Sequence, residues 1–107
     1  MTYDKQKELY QQAAEKAGIE LKGKTMPYTS ANGHMFSQLN KDGQIGIRFS
    51  KEIQEKLLKE LKTTTFKSYG AELKGYVLMP ATICKDTKKL TIYLKEGLKF
   101  VMSLDPK

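Results

Sequence analysis

Between Met26 and Phe49 the chain reads MPYTSANGHMFSQLNKDGQIGIRF, in which two apolar runs, His34–Leu39 and Ile45–Phe49, are separated by Asn40-Lys41-Asp42-Gly43. Asn and Asp tolerate left-handed backbone and Gly supplies positive φ, so this spacing predicts a β-hairpin. A hairpin in mid-chain commits the fold to an antiparallel sheet, and the flanking segments must supply the layers that bury its apolar face. The residues before it, Pro27, Ser30, Asn32 and Gly33, read as a turn-rich approach. In the second run Ile45, Ile47 and Phe49 alternate onto one face, with Gly46 and Arg48 on the other. Gly46 leaves room for another backbone or side chain to come close over the sheet. Strict alternation puts Phe36 and Leu39 on opposite sides of the first run, which is therefore buried on both faces or carries a bulge.

The flanks read as helices and short strands. From about Thr2 to Ala17, Leu9, Tyr10, Ala13, Ala14 and Ala17 make an apolar helical face, with Thr2 as a cap and Gly18 as a stop. Ile19–Lys24 is a connector. Ser50 suits the N-cap of a helix Lys51–Leu61, whose stripe is Ile53, Leu57, Leu58 and Leu61, with Glu52–Lys56 and Glu55–Lys59 as i,i+4 pairs on the wet side. Thr63–Thr65 favour extension, hence a short strand around Thr64–Lys67. Ser68–Gly75 reads as a polar turn and Tyr76–Met79 as a short buried strand ended by Pro80, which opens a helical turn through Cys84. Asp86 then caps a last helix from about Thr87 to Ser103. On its wheel Leu90, Leu94, Gly97, Leu98 and Val101 share one arc; Lys85, Lys88, Lys95 and Lys99 lie nearly opposite, with Ile92 among them. The prediction is one α+β domain over residues 1–107: a small antiparallel β-sheet with N-terminal, central and C-terminal helices packed around it.

A chain of 107 residues suffices for a single core that buries roughly two-thirds of the unfolded surface. No apolar run approaches the ~20 residues of a membrane helix, and the polar, acid-containing start MTYDKQKELY is unlike a secretory signal, so a cytoplasmic location is expected. Cys84 is the single cysteine and His34 the single histidine. An intramolecular disulfide is excluded, no short ligand spacing suggests a metal, and no cofactor is implied. Cys84 reads as a small buried apolar residue. The formal charge of +7 arises from 19 basic and 12 acidic residues, with Arg48 the lone arginine. Such charge favours solubility and weak attraction to polyanions.

Met35-Phe36, Lys41-Asp42-Gly43, Ile45–Phe49, Phe66 and Tyr76–Pro80, in this order and spacing between helices, resemble the TfoX/Sxy N-terminal domain family over about Lys5 to Leu104. The family pattern has glycine after its Met-Phe pair, where this chain has Ser37. Members that regulate competence carry a second, C-terminal domain for which this length leaves no space. The resemblance thus implies a divergent single-domain member, a small α+β domain with a regulatory role through protein contacts, and no catalytic residues.

Two places draw functional attention. Tyr28, Ser30, Asn32 and His34 gather hydroxyls, an amide and an imidazole just before a strand, a composition suited to a ligand or partner loop. The plainer reading makes them turn residues, and Ser30 with His34 lacks the orienting acid and oxyanion donors of a nucleophilic site. The second place is the stripe of Lys85, Lys88, Ile92, Lys95 and Lys99, a candidate contact for a protein partner, a homodimer or, weakly and nonspecifically, nucleic acid. Gly33, Gly43 and Gly46 match no phosphate-loop spacing. Tyr69 and Tyr76 have rings that stack on a base in some proteins and simply pack in most. The expected function is a noncatalytic regulatory or protein-interaction domain. A nucleic-acid-associated accessory role is the first alternative and a small-molecule-binding enzyme the second, the latter requiring a pocket in which His34, Arg48 and a carboxylate converge.

Overall fold

Capping chemistry and apolar periodicity place the helices of the computed structural model, which describes residues 3–23, 25–68 and 70–107. Helix α1 spans Tyr3–Ala17, α2 Lys51–Glu60, the single turn α3 Ala81–Cys84, and α4 Thr87–Met102. Ser50 Oγ accepts the Ile53 N–H, and the Asp86 carboxylate accepts those of Lys88 and Lys89, satisfying donors that a helix start leaves unpaired. The proposed Thr2 cap lies outside the described residues. The i,i+4 pairs of α2 do not close: the ion pair present among the described residues is Lys5–Glu8 at 4.0 Å. Exposed lysine and glutamate gain little from pairing and keep their hydration instead.

Five strands, β1 (Tyr28–Ala31), β2 (His34–Leu39), β3 (Ile45–Arg48), β4 (Thr65–Ser68) and β5 (Ala71–Leu78), form one antiparallel sheet in the order β1-β2-β3-β5-β4. The central hairpin β2–β3 is the one its sequence predicts. Two segments read as turns prove to be strands. Tyr28–Ala31 pairs with β2 through a two-residue turn, Asn32-Gly33, at φ 56° and 80°. Those positive angles are what a tight hairpin turn between right-twisted strands requires. Residues 71–75, expected within a polar turn, instead extend β5, since pairing with β4 outweighs the low strand preference of Ala, Glu, Lys and Gly. The register slips along that pair, from Thr65↔Val77 to Lys67↔Glu72, so β5 bulges around Gly75.

The parity conflict of β2 is resolved by a bulge. Thr29 pairs with Ser37 but Ser30 with Met35, leaving Phe36 as the extra residue. Phe36 and Ser37 consequently both face the helices. Phe36 lies against Gly97 of α4, and Ser37 hydrogen-bonds the Tyr10 hydroxyl of α1.

On that face Tyr10, Ala13, Leu39, Ile45, Ile47, Phe49, Val77, Leu90 and Leu94 form the core. Helix α4 rides close to the sheet because Gly97 has no side chain: a Cβ there would lie 2.8 Å from Ile47 Cγ2. Thr91, outside the predicted apolar arc, is buried and donates its hydroxyl to the Thr87 carbonyl at 2.6 Å and that of Ala13 at 3.3 Å. On the opposite side of the sheet the buried Phe66 ring covers Gly46, and Tyr76 stacks beside it with ring centroids 6.1 Å apart. No described helix is long and apolar enough to cross a membrane.

Candidate functional site

The loop of Tyr28, Ser30, Asn32 and His34 is brought together as the β1–β2 hairpin, and its polar groups are engaged with the chain itself. Tyr28 exchanges backbone hydrogen bonds with Lys22, at 2.8 and 2.9 Å. Ser30 Oγ accepts from Lys22 Nζ at 2.9 Å. The Asn32 amide donates to the carbonyls of Val101 and Leu104 at 2.9 and 2.8 Å, capping the C-terminal end of α4, and the Lys107 N–H returns a bond to the Asn32 carbonyl. His34 Nε2 lies 2.8 Å from the Asp105 carbonyl oxygen. The hairpin tip thus works as a clasp on the last helix, using groups that a ligand loop would hold out to solvent. It adds no carboxylate that could orient His34 as a base.

Ser37 sits at the centre of a buried hydroxyl chain. Its Oγ hydrogen-bonds both Tyr10 Oη and Thr29 Oγ1, all inside the core. Burial raises the Tyr10 pKa well above the ordinary phenol value, with the two hydroxyl neighbours pulling the other way. This chain is a structural tie of α1 to β1 and β2. Burial likewise pushes the Tyr76 phenol up to about 12, opposed by Arg48, while the hydroxyl donates to the Met35 carbonyl at 2.9 Å. Tyr76 therefore packs and offers no open stacking face; Tyr69 lies outside the described residues. Cys84 is fully buried, its thiol pushed up to about 11 by burial and donating to the Met79 carbonyl.

Along α4 the residues of the candidate stripe lie at the surface. Lys85, just before the helix, and Lys88, Lys95 and Lys99 on it are exposed, and none forms an ion pair among the described residues. Ile92 between them is 62% exposed. It borders a groove of about 230 Å³ between α2 and α4, lined also by Ile53, Leu57 and Tyr93 and by Lys56, Glu60 and Glu96.

A larger cleft, about 450 Å³, opens where the end of β3, the start of α2 and the bulge of β5 meet. Arg48, Lys51, Lys74 and Gln54 line it together with Phe49, Gly75 and Phe100. Sequence reasoning missed this grouping, for which the lone arginine at a strand end was the available signal. Among the described residues, neither His34 nor any carboxylate lines the cleft. Among the described residues no three His, Cys, Asp or Glu side chains converge as metal ligands. Compared with known proteins, the chain matches no protein-family model, no curated protein and no solved structure.

Proposed function

We propose that this chain is a noncatalytic interaction domain, of the small α+β kind that the TfoX N-terminal resemblance implies, acting through a protein partner docked along the seam of α2 and α4. The observation that carries the reading is Ile92. An aliphatic side chain 62% exposed among lysines does nothing for the core. Beside it, Ile53, Leu57 and Tyr93 floor a shallow groove with Lys56, Glu60 and Glu96 as its charged neighbours. An apolar anchor at the edge of a groove with charged surroundings is the pattern by which protein interfaces concentrate their binding energy. The enzyme reading loses support, because the cleft that contains Arg48 holds neither His34 nor an acid.

Ile92→Asp tests the proposal. The substitution is expected to leave unfolding within about 0.5 kcal/mol of the wild type, because the position is exposed. It should abolish retention of a partner that the wild-type chain captures from native lysate after nuclease treatment. Equal capture by both forms rejects the reading. The accessory nucleic-acid role is favoured by the unpaired lysines of α4, and capture that nuclease eliminates would support it instead.

A further inference from the structure

We infer that the cleft between β3, α2 and β5 binds a phosphomonoester that carries an apolar body. Arg48 is the last residue of β3, and its guanidinium carbon sits 5.4 Å from the centre of the Phe100 ring. A cation over an aromatic face is held in place without losing its charge. Among the described residues that guanidinium makes no hydrogen bond and no ion pair, so its fork of donors is uncommitted. Lys51, in the first turn of α2, and Lys74, on the bulged part of β5, add two exposed ammonium groups to the same walls. Among the described residues no Asp or Glu lines the cleft to offset the three positive charges.

Like charges held around one concavity repel, and an anion placed among them relieves that repulsion. Three cations, one of them a planar fork, match a dianionic phosphate better than a single carboxylate. The positive end of α2 adds to the field at Lys51. Size argues for more than the phosphate alone. The volume, about 450 Å³, lies within the range of small-molecule sites, roughly 300–1,000 Å³. The rest of the lining is apolar, Phe100, Phe49 and the bare backbone of Gly75, while the Gln54 amide is fixed by donating to the Phe49 carbonyl at 2.9 Å. A phosphate seated against Arg48, Lys51 and Lys74 would leave its organic substituent against Phe100.

The test is titration of the whole chain with phenyl phosphate, inorganic phosphate and phenol, followed by backbone amide NMR. Saturable shifts are expected at Arg48, Lys51, Gln54 and Gly75, with phenyl phosphate about tenfold tighter than inorganic phosphate and phenol inactive, tenfold being 1.4 kcal/mol. Lys51→Gln/Lys74→Gln, which alters exposed side chains only, should weaken phenyl phosphate at least about tenfold. Arg48→Met should remove saturation, its fold being checked by the same spectrum. Ile92→Asp should bind like the wild type, which separates this site from the α2–α4 seam. Shifts as large at Lys88, Lys95 and Lys99 as in the cleft would overturn the site. So would an unchanged affinity in the double glutamine variant, and equal affinity for inorganic and phenyl phosphate would overturn the apolar body.

Discussion

The Phe66 ring rests directly on the backbone of Gly46: a Cβ built at Gly46 would lie 2.1 Å from Phe66 Cγ. Both residues are buried, and the ring has Tyr76 beside it, so it has little room to withdraw. Gly46→Ala is therefore expected to destabilise the domain by about 1–3 kcal/mol, the usual cost of overpacking. Urea unfolding reads this as a lowered midpoint with an unchanged slope. In a Phe66→Leu background the same substitution should cost at least about 0.5 kcal/mol less, because the two sites share one space. Strict additivity would show that the contact is not what Gly46 serves.

At the other end of the sheet, Asn32→Gly keeps the turn's positive φ and deletes only the amide that caps α4. Loss of two hydrogen bonds is expected to cost about 1–3 kcal/mol, with faster amide exchange confined to the last turn of α4. Asn32→Ala should cost about 1 kcal/mol more, since alanine resists left-handed backbone. His34→Ala removes a single bond to Asp105 and is expected to stay within about 1 kcal/mol of the wild type. It should also leave every activity of the chain unchanged; turnover that vanishes with His34 would contradict the noncatalytic reading.

Alkaline pH should destabilise the protein in stages. Cys84 and Tyr76 have folded pKa values raised by burial, to about 11 and about 12, and Tyr10 is raised further. A raised pKa means that the unfolded chain loses its proton first, so the stabilising difference is complete below the unfolded value and disappears as pH climbs toward the folded one. Stability is expected to be flat to about pH 8.5, near the free thiol pKa. Above that it falls by up to ~1.4 kcal/mol per pH unit for each group, first through Cys84 and then, beyond about pH 10, through the tyrosines. Unfolding midpoints measured from pH 7 to 11 check this, and Cys84→Ala should remove the earliest part of the decline. A constant midpoint to pH 11 would contradict it.

Binding of duplex DNA, if measured, should be weak and set by charge alone. With about three phosphate contacts from the α4 lysines, the slope of log affinity against log salt is expected near −2.7. Lys95→Glu/Lys99→Glu should weaken binding equally for all sequences. Tight binding that discriminates between sequences at high salt would require base-edge contacts that diffuse lysines do not provide.

What the sequence disclosed depended on how local its cause was. Ser50 and Asp86 announce their helices within three residues, and Ile45, Ile47 and Phe49 declare the core face of β3 by alternation alone. β1 escaped notice although Asn32-Gly33 is itself a two-residue hairpin signal, because Thr29, Ser30 and Ala31 supply no strong apolar alternation. Gly46 foretold a close neighbour but not which one, since Phe66 arrives through the curl of a distant hairpin. The candidate loop was legible as a polar cluster, whereas its attachment to Val101, Leu104 and Asp105 became visible only when the C-terminal residues met the β1–β2 hairpin. The cleft is less legible still: Arg48, Lys51, Lys74 and Phe100 become neighbours only through the β3–β5 pairing and the docking of α4. Ser37 shows the converse, a hydroxyl within an apolar run whose reason appears once Tyr10 and Thr29 are seen on either side of it.

Helix α4 is held from its inner side and its C-terminal end by Gly97 against Ile47, Thr91 to Ala13, and the Asn32 clasp. The side chains of Lys88, Lys95 and Lys99 make no ion pair among the described residues, and Ile92 projects into solvent. Substitutions on this outer half are nearly free of folding cost. Mutation is therefore filtered differently on the two sides of one helix: the inner side is held by the threshold for folding, while the outer side is free to drift or to be selected for whatever it touches. A lineage carrying this domain can change the chemistry of that outer surface by rewriting a handful of codons, without first acquiring compensating changes elsewhere.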